Sequence, residues 1–144
     1  QALSDFTDIP PISSVFSHGD AAWKNFLIYN DGKVQAIDWE LCGAGPLGQD
    51  AGKLLSNISV NQVAVDAFLE RYLIRDGKVD STTLMGLCAG LVAENLTHIE
   101  WRVRRKLNDE NTLEPDKIVA RTEIQKHLES LNSVFKIYAK YSQI

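Results

Sequence analysis

The chain has 144 residues, 44% of them hydrophobic and 24% charged, with a formal net charge of −4. This is the profile of one globular domain that can bury a sizeable core, and it excludes a disordered chain. The mild acidic excess offers no electrostatic footprint for nucleic acid. The longest uncharged apolar stretch, Ser81 to Ala93, has 13 residues, short of the roughly 20 that a membrane helix needs, so no membrane span is expected.

The opening QALSDFTDIPP has neither the basic nor the apolar region of a signal peptide, and it lacks an initiator Met. A processed or excised chain is the reading. Cys42 and Cys88 make neither a disulfide framework nor a metal-ligand cluster, and a reducing, cytoplasmic setting follows.

In chain order, Ser14 to Ser17 reads as a brief strand. Asn25 to Tyr29 and Lys33 to Asp38 flank Asn30-Asp31-Gly32, whose residues tolerate or prefer left-handed backbone, so the two runs form a β-hairpin. Trp39 to Gly48 carries three glycines and a proline and reads as a loop. Helices are then expected over Gln49 to Ser56 and over Val60 to Arg75, the second closed by Gly77. Leu84, Leu87, Cys88, Leu91, Asn95, Ile99 and Val103 recur at three and four residues and predict a long helix from Ser81 to Leu107. Glu114-Pro115 opens a last helix, with a stripe of Ile118, Arg121, Ile124, Leu128, Leu131, Phe135 and Tyr138 facing inward. The fold class is α+β and mostly α: a small hairpin followed by four helices. That architecture names no function.

Chemistry concentrates in one segment. His18-Gly19-Asp20 is followed after four residues by Asn25, then by the hairpin, then by Ile37-Asp38-Trp39-Glu40. An antiparallel hairpin returns to its origin, so Asn25 and Asp38 finish at the same end, near Asp20. Two carboxylates and an amide oxygen make a hard, oxygen-only donor set of the kind Mg²⁺ takes together with substrate phosphates.

The run HGDAAWKNFLI and its continuation IDWELCGAGPLGQDAGKLL resemble the aminoglycoside phosphotransferase and choline kinase-like families, from about Val15 to Leu55. Asp-x4-Asn is also the spacing of the kinase catalytic loop. The resemblance implies a protein-kinase-like C-terminal lobe, with Asp20 as catalytic base toward a substrate hydroxyl. It implies that Asn25 and Asp38 hold Mg²⁺ against the phosphates of ATP or GTP. His18 would brace the catalytic loop, and Asp50 would accept backbone N–H bonds and fix it. Glu40 and Lys24 are minor candidates, read first as solvated side chains.

Protein kinases usually carry Arg where Gly19 stands, and Gly where Glu40 stands. Only 11 residues separate Asp38 from Asp50, too few for a segment that docks a protein substrate. A small-molecule hydroxyl acceptor is therefore expected. Glu94, Glu100, Asp109, Glu110 and Glu114 could attract a polycation such as an aminoglycoside, but they are read first as an ordinary solvated helix face and loop. His98 and Trp101 could line an acceptor cleft but are read first as packing residues, and Arg102 to Lys106 as cations closing a helix.

Only 17 residues precede His18, and no GxGxxG or Walker A motif occurs in the sequence. Residues 1–144 are thus expected to form a single domain resembling the later part of a kinase-like lobe, without the nucleotide-binding N-terminal lobe. The expected partners are nucleotide, acceptor, and either that lobe or a second copy on the face it would cover. On this reading the chain alone is inactive. The alternatives are a catalytically silent kinase-like binding or scaffold fragment and a metal-dependent hydrolase.

Overall fold

A computed structural model of the chain describes residues 13–58 and 61–144. The opening QALSDFTDIPP and Val60, where the second helix is expected to begin, lie outside them. The architecture is mixed α+β and mostly helical, with four helices and three two-stranded antiparallel sheets among the described residues.

Strand β1 (Ser14–Ser17) leads into the His18-Gly19-Asp20 loop, and a short 3₁₀ turn (Trp23–Asn25) opens the hairpin of β2 (Phe26–Ile28) and β3 (Val34–Ala36). Phe26 faces Ala36 and Ile28 faces Val34. Gly32 closes the hairpin with φ +81° and donates its N–H to the Tyr29 carbonyl at 2.9 Å. That backbone conformation is one that glycine adopts without strain.

The glycine-rich stretch after the hairpin is not all loop. Trp39–Leu41 forms a 3₁₀ turn, and Gly43–Pro46 is a strand, β4, paired to β1 with Ser17 opposite Gly43. Few side chains there signal a strand, yet pairing needs only backbone donors and acceptors. Gly45 is required for this approach, because an added Cβ would come 2.6 Å from Gln49 Oε1 and 2.9 Å from Ser17 Cβ.

Helix α1 (Gln49–Ile58) follows at once. Helix α2 (Gln62–Leu73) starts where the Asn61 side chain accepts the Ala64 N–H at 3.2 Å. It ends two residues before the predicted Arg75. Asp76 and Gly77 both take positive φ, 52° and 74°, and turn the chain into a hairpin of β5 (Ile74–Arg75) and β6 (Lys78–Val79). Two consecutive left-handed residues make a tight hairpin turn, which here replaces the helical C-cap. Helix α3 (Ser81–Arg102) is capped by Asp80, whose carboxylate accepts the Thr82 and Thr83 N–H groups at 3.2 and 3.3 Å. A π-helical turn over Val103–Leu107 completes its predicted length. Helix α4 (Glu114–Tyr141) begins with Pro115 in its first turn.

The core joins α1, α2, α3 and the end of α4 through Leu55, Leu69, Leu73, Leu84, Leu87, Leu91, Val134 and Tyr141. The stripe of α3 is buried or half-buried along the predicted residues. The stripe of α4 is not the predicted one. Ala120, Val134 and Tyr141 are buried, with Ile124, His127, Leu131 and Ile137 half-buried beside them, while Ile118, Arg121, Leu128, Phe135 and Tyr138 are exposed. Both stripes recur at helical spacing. The buried one carries the small Ala120 and His127, whose Nδ1 meets Asn95 Oδ1 of α3 at 2.9 Å, whereas bulk alone favours the exposed one.

Backbone-to-backbone contact sets the α1–α3 crossing. A Cβ on Gly52 would lie 2.5 Å from the Gly90 carbonyl carbon, and one on Gly86 would lie 2.7 Å from the Leu47 carbonyl oxygen. A Cβ on Gly48 or on Gly90 would overlap the opposing backbone as well. Gly52→Ala should therefore lower unfolding free energy by about 1–3 kcal/mol through overpacking against atoms that cannot rotate away. Gly43→Ala meets open space and should stay within about 0.5 kcal/mol. Urea unfolding of both variants checks this, and equal losses would refute the crossing as the constraint.

Candidate active site

Five elements converge on the His18-Gly19-Asp20 loop. From α1, the Asp50 carboxylate accepts the His18 N–H at 2.7 Å and the Gly19 N–H at 3.1 Å, one on each oxygen. Ser17 Oγ, at the end of β1, is a second acceptor for Gly19 N–H at 3.2 Å. Gly19 has φ +83°, and a Cβ there would overlap the Leu41 carbonyl of the 3₁₀ turn, so this position has no space for a side chain.

His18 is buried and spans the loop and the hairpin. Its Nδ1 lies 3.3 Å from the Asp20 N–H and its Nε2 lies 2.8 Å from the Ile37 carbonyl. An amide donor at Nδ1 and a carbonyl acceptor at Nε2 together require the neutral ring with its proton on Nε2. The ring packs against Trp39 and Phe26, with centroids 4.5 and 6.2 Å away.

Asn25 is buried and donates Nδ2 to both the backbone oxygen and Oδ2 of Asp20, at 2.8 and 2.9 Å. Both partners are acceptors. That fixes the amide nitrogen on the Asp20 side and leaves Oδ1 facing elsewhere. The Ile37 N–H donates to the Asn25 carbonyl at 2.9 Å, which extends the hairpin register and puts Asp38 one residue beyond Asn25's partner. Asp38 stands in left-handed backbone, φ 65° and ψ 56°, and is exposed, with no hydrogen bond or ion pair among the described residues. Asp tolerates that conformation better than most residues. Glu40 is exposed on the 3₁₀ turn.

The register thus puts Asn25 and Asp38, each with a hard side-chain oxygen, at one end of the hairpin. No group of three or more His, Cys, Asp or Glu that could hold a metal exists among the described residues. The donor set fits an ion such as Mg²⁺ that takes few protein ligands and fills the rest of its octahedron with phosphate and water oxygens.

Asp20 itself is held by cations. Lys53 Nζ lies 2.8 Å from Oδ1, and Lys24 Nζ lies 3.3 Å from Oδ2. The Lys53 hydrogen bond, helped by Asn25 and Lys24 against the opposing effect of burial, draws the carboxyl down to about 2. Lys53 also lies 3.8 Å from Glu94 Oε1 on α3. Burial works against its ammonium, but the Asp20 bond and the charges of Glu94, Asp20 and Asp50 outweigh burial and raise its pKa. Glu94 Oε1 in turn lies 2.8 Å from His98 Nε2, and the His98 ring stacks on His127 with centroids 4.9 Å apart. Trp101 is half-exposed.

Lys53 carries no signal of its own in the sequence. What points to it is its place three residues after Asp50, which puts both on one face of α1 and turns it toward the loop that Asp50 holds. Glu94 reads in sequence as one of several helical acids; only the α1–α3 crossing brings it to Lys53. Of the other acids in that group, Glu100 pairs with Arg104 at 3.3 Å and Glu114 with Arg121 at 2.8 Å. Both thiols are free: Cys42 is exposed, and burial pushes the half-buried Cys88 up to about 11.

The loop is braced by His18, carries the Asp20 carboxylate at its tip, and lies beside Asn25 and Asp38 at the foot of the hairpin. The sequence profile of the phosphotransferase enzyme family matches residues 1–87, more than half of the chain. The chain belongs to that family. No curated protein and no solved structure matches it. No helix among the described residues is long and apolar enough to cross a membrane.

Asp50→Ala leaves the His18 N–H without its acceptor, at about 1–3 kcal/mol, and leaves the Gly19 N–H only the Ser17 Oγ contact. The expected outcome is a lower melting temperature with loss of loop order, read as shifted His18 and Gly19 amide resonances. Normal melting with unshifted amides would remove Asp50 from this role.

The Asp20 carboxyl sits below its ordinary value of 3.8, at about 2, so the folded state favours its ionised form. Its contribution to stability is complete above about pH 4 and is lost as pH falls toward 2. The difference in melting temperature between the protein and Asp20→Asn should shrink across that window, and a constant difference would show that Lys53 does not hold Asp20 in solution.

Proposed function

We propose that this chain is the catalytic-loop portion of a small-molecule kinase, moving the γ-phosphoryl group of ATP or GTP to an acceptor hydroxyl. The observation that carries the reading is the Asp20–Asn25 pair, in which a buried amide orients the carboxylate at the mouth of a loop fixed by Asp50 and His18.

In this reading Asp20 receives the acceptor hydroxyl. Of its two oxygens, Oδ2 has the partner more readily displaced, because Lys24 is 71% exposed and a surface ion pair of that kind is worth no more than about 1 kcal/mol. The hydroxyl displaces Lys24 and donates to Oδ2, which aims an oxygen lone pair at the phosphorus. A carboxyl held at about 2 keeps its charge throughout and takes the proton only late. Phosphoryl transfer through a loose transition state demands little more, since positioning and charge stabilisation provide most of the rate.

Asn25 Oδ1 and Asp38 would hold Mg²⁺, which when bound supplies charge neutralisation on the nucleotide phosphates. Asn25 thereby joins the two halves of the site, its nitrogen on Asp20 and its oxygen on the cation. Asp38 has no partner among the described residues and is free to turn toward an ion, and its exposure fits a site completed by phosphate oxygens.

The kinase-like lobe reading also explains an exposed apolar face. Phe16, Ile28, Val34 and Leu41 are 72%, 69%, 62% and 63% exposed along β1, the hairpin and the 3₁₀ turn. We place the nucleotide lobe, supplied from outside these residues, against that face, with self-association as its substitute when the lobe is missing.

The test is γ-phosphoryl transfer to a panel of small hydroxyl compounds by a polypeptide carrying this chain with its nucleotide lobe, followed by ³¹P NMR. Asp20→Asn keeps shape and should lower kcat by about 10²–10⁴-fold. Asp38→Ala should abolish the Mg²⁺ dependence of nucleotide binding, with Asn25→Ala milder because a neutral amide contributes less to a divalent ion. Full turnover in Asp20→Asn would end this proposal.

A further inference from the structure

The acceptor side of the site has an unusual occupant: a cation belonging to the chain itself. Lys53 Nζ sits between two carboxylates, 2.8 Å from Asp20 Oδ1 and 3.8 Å from Glu94 Oε1. The side chains of Lys53, Asp20 and Glu94 are 26%, 19% and 14% exposed, so the three meet at the edge of solvent and within reach of a small molecule. Beyond Glu94 lies a cleft of about 440 Å³, lined also by Leu47, Gln49, Ala93 and Thr97. Glu94 thus borders both that cleft and the Lys53–Asp20 pair.

An amine substituent on the acceptor would seek the position between Asp20 and Glu94 that the Lys53 ammonium already fills. The competition is unequal. Lys53 is tethered on α1, and α1 is locked against α3 by the Gly52–Gly90 contact. A tethered group competes at an effective concentration on the order of millimolar or more, which a dilute external amine cannot match. Elsewhere among the helical acids, Glu100 and Glu114 pair with Arg104 and Arg121.

We propose that Lys53 is a specificity-determining residue that excludes cationic acceptors, so that the enzyme phosphorylates an uncharged hydroxyl compound rather than an aminoglycoside-like polycation. The inference rests on the phosphotransferase reading above. It is discrimination by an unfavourable element: a like charge placed where the wrong substrate would bind. An uncharged polyol leaves the Lys53–Asp20–Glu94 arrangement intact and can accept a hydrogen bond from the same ammonium.

Two measurements test it. The first needs no turnover: calorimetric titration of the chain with spermidine, a polyamine, and with glycerol, an uncharged triol. Removing the tethered competitor in Lys53→Met should strengthen spermidine binding at least about tenfold. Lys53→Arg should behave as the native chain, and Lys53→Met/Glu94→Gln should lose the gain. Circular dichroism melts confirm that each variant is folded. Should Lys53→Met not fold, the native chain against Lys53→Arg and Glu94→Gln still decides, since tight spermidine binding by the native chain overturns the proposal.

The second compares kcat/KM for ethylene glycol and ethanolamine, and for inositol and an aminoglycoside, in the polypeptide with its nucleotide lobe. A preference for the uncharged member of each pair that narrows in Lys53→Met supports the proposal. A native preference for the cationic members overturns it and leaves the phosphotransferase reading standing. Transfer to none of the four by any variant removes the phosphotransferase reading, and with it the acceptor class, whatever the titration shows.

Discussion

The Asp50 carboxylate, with one oxygen on each of two consecutive loop amides, is the contact on which the site depends. It is made from the first turn of α1, where a carboxylate also complements the helix dipole. Its reach is set by how deeply α1 sits on α3, and that depth exists because Gly48 and Gly52 face Gly86 and Gly90 with no side chain between them. A helix pair held one methyl group further apart would carry Asp50 away from the loop. The chemistry of Asp20 is therefore linked to a packing constraint on the other side of α1.

The same placement organises the charges. Once Asp50 is engaged, Lys53 lies one turn along the helix with its ammonium on Asp20, and α3 delivers Glu94 to the far side of that ammonium. Asp20 then has a filled set of donors: Lys53 on one oxygen, Asn25 and Lys24 on the other. A carboxylate so surrounded stays ionised and oriented. His18 bridges the loop and the Ile37 carbonyl, so one ring ties the loop to the hairpin.

Much of this is written locally. The hairpin is readable because Asn30-Asp31-Gly32 supplies the backbone freedom a tight turn needs, and α3 because its apolar residues keep helical spacing. His18, Asp20, Asn25, Asp38 and Asp50 stand out through spacing along the chain, and the family profile covers the same stretch. Where local signals competed, tertiary contact chose between them. Asp76-Gly77 can end a helix or turn a hairpin, and the pairing of Ile74 with Val79 selects the hairpin. Gly43–Pro46 looks like loop until β1 lies beside it.

The sequence alone determined the class of the fold, the phosphotransferase resemblance and the residues of the loop and hairpin, because each rests on neighbours within a few residues. Three things needed the folded chain. One is the inward face of α4, where two stripes share the same period and the fit against α3 picks the one with Ala120 and His127. Another is the α1–α3 crossing, since glycines four apart acquire meaning only when another backbone arrives opposite them. The last is the Asp20–Lys53–Glu94 arrangement, whose members are 33 and 41 residues apart along the chain. No periodicity spans such distances. Only burial of the leucines between α1 and α3 brings the three charges together, with one ammonium between two carboxylates.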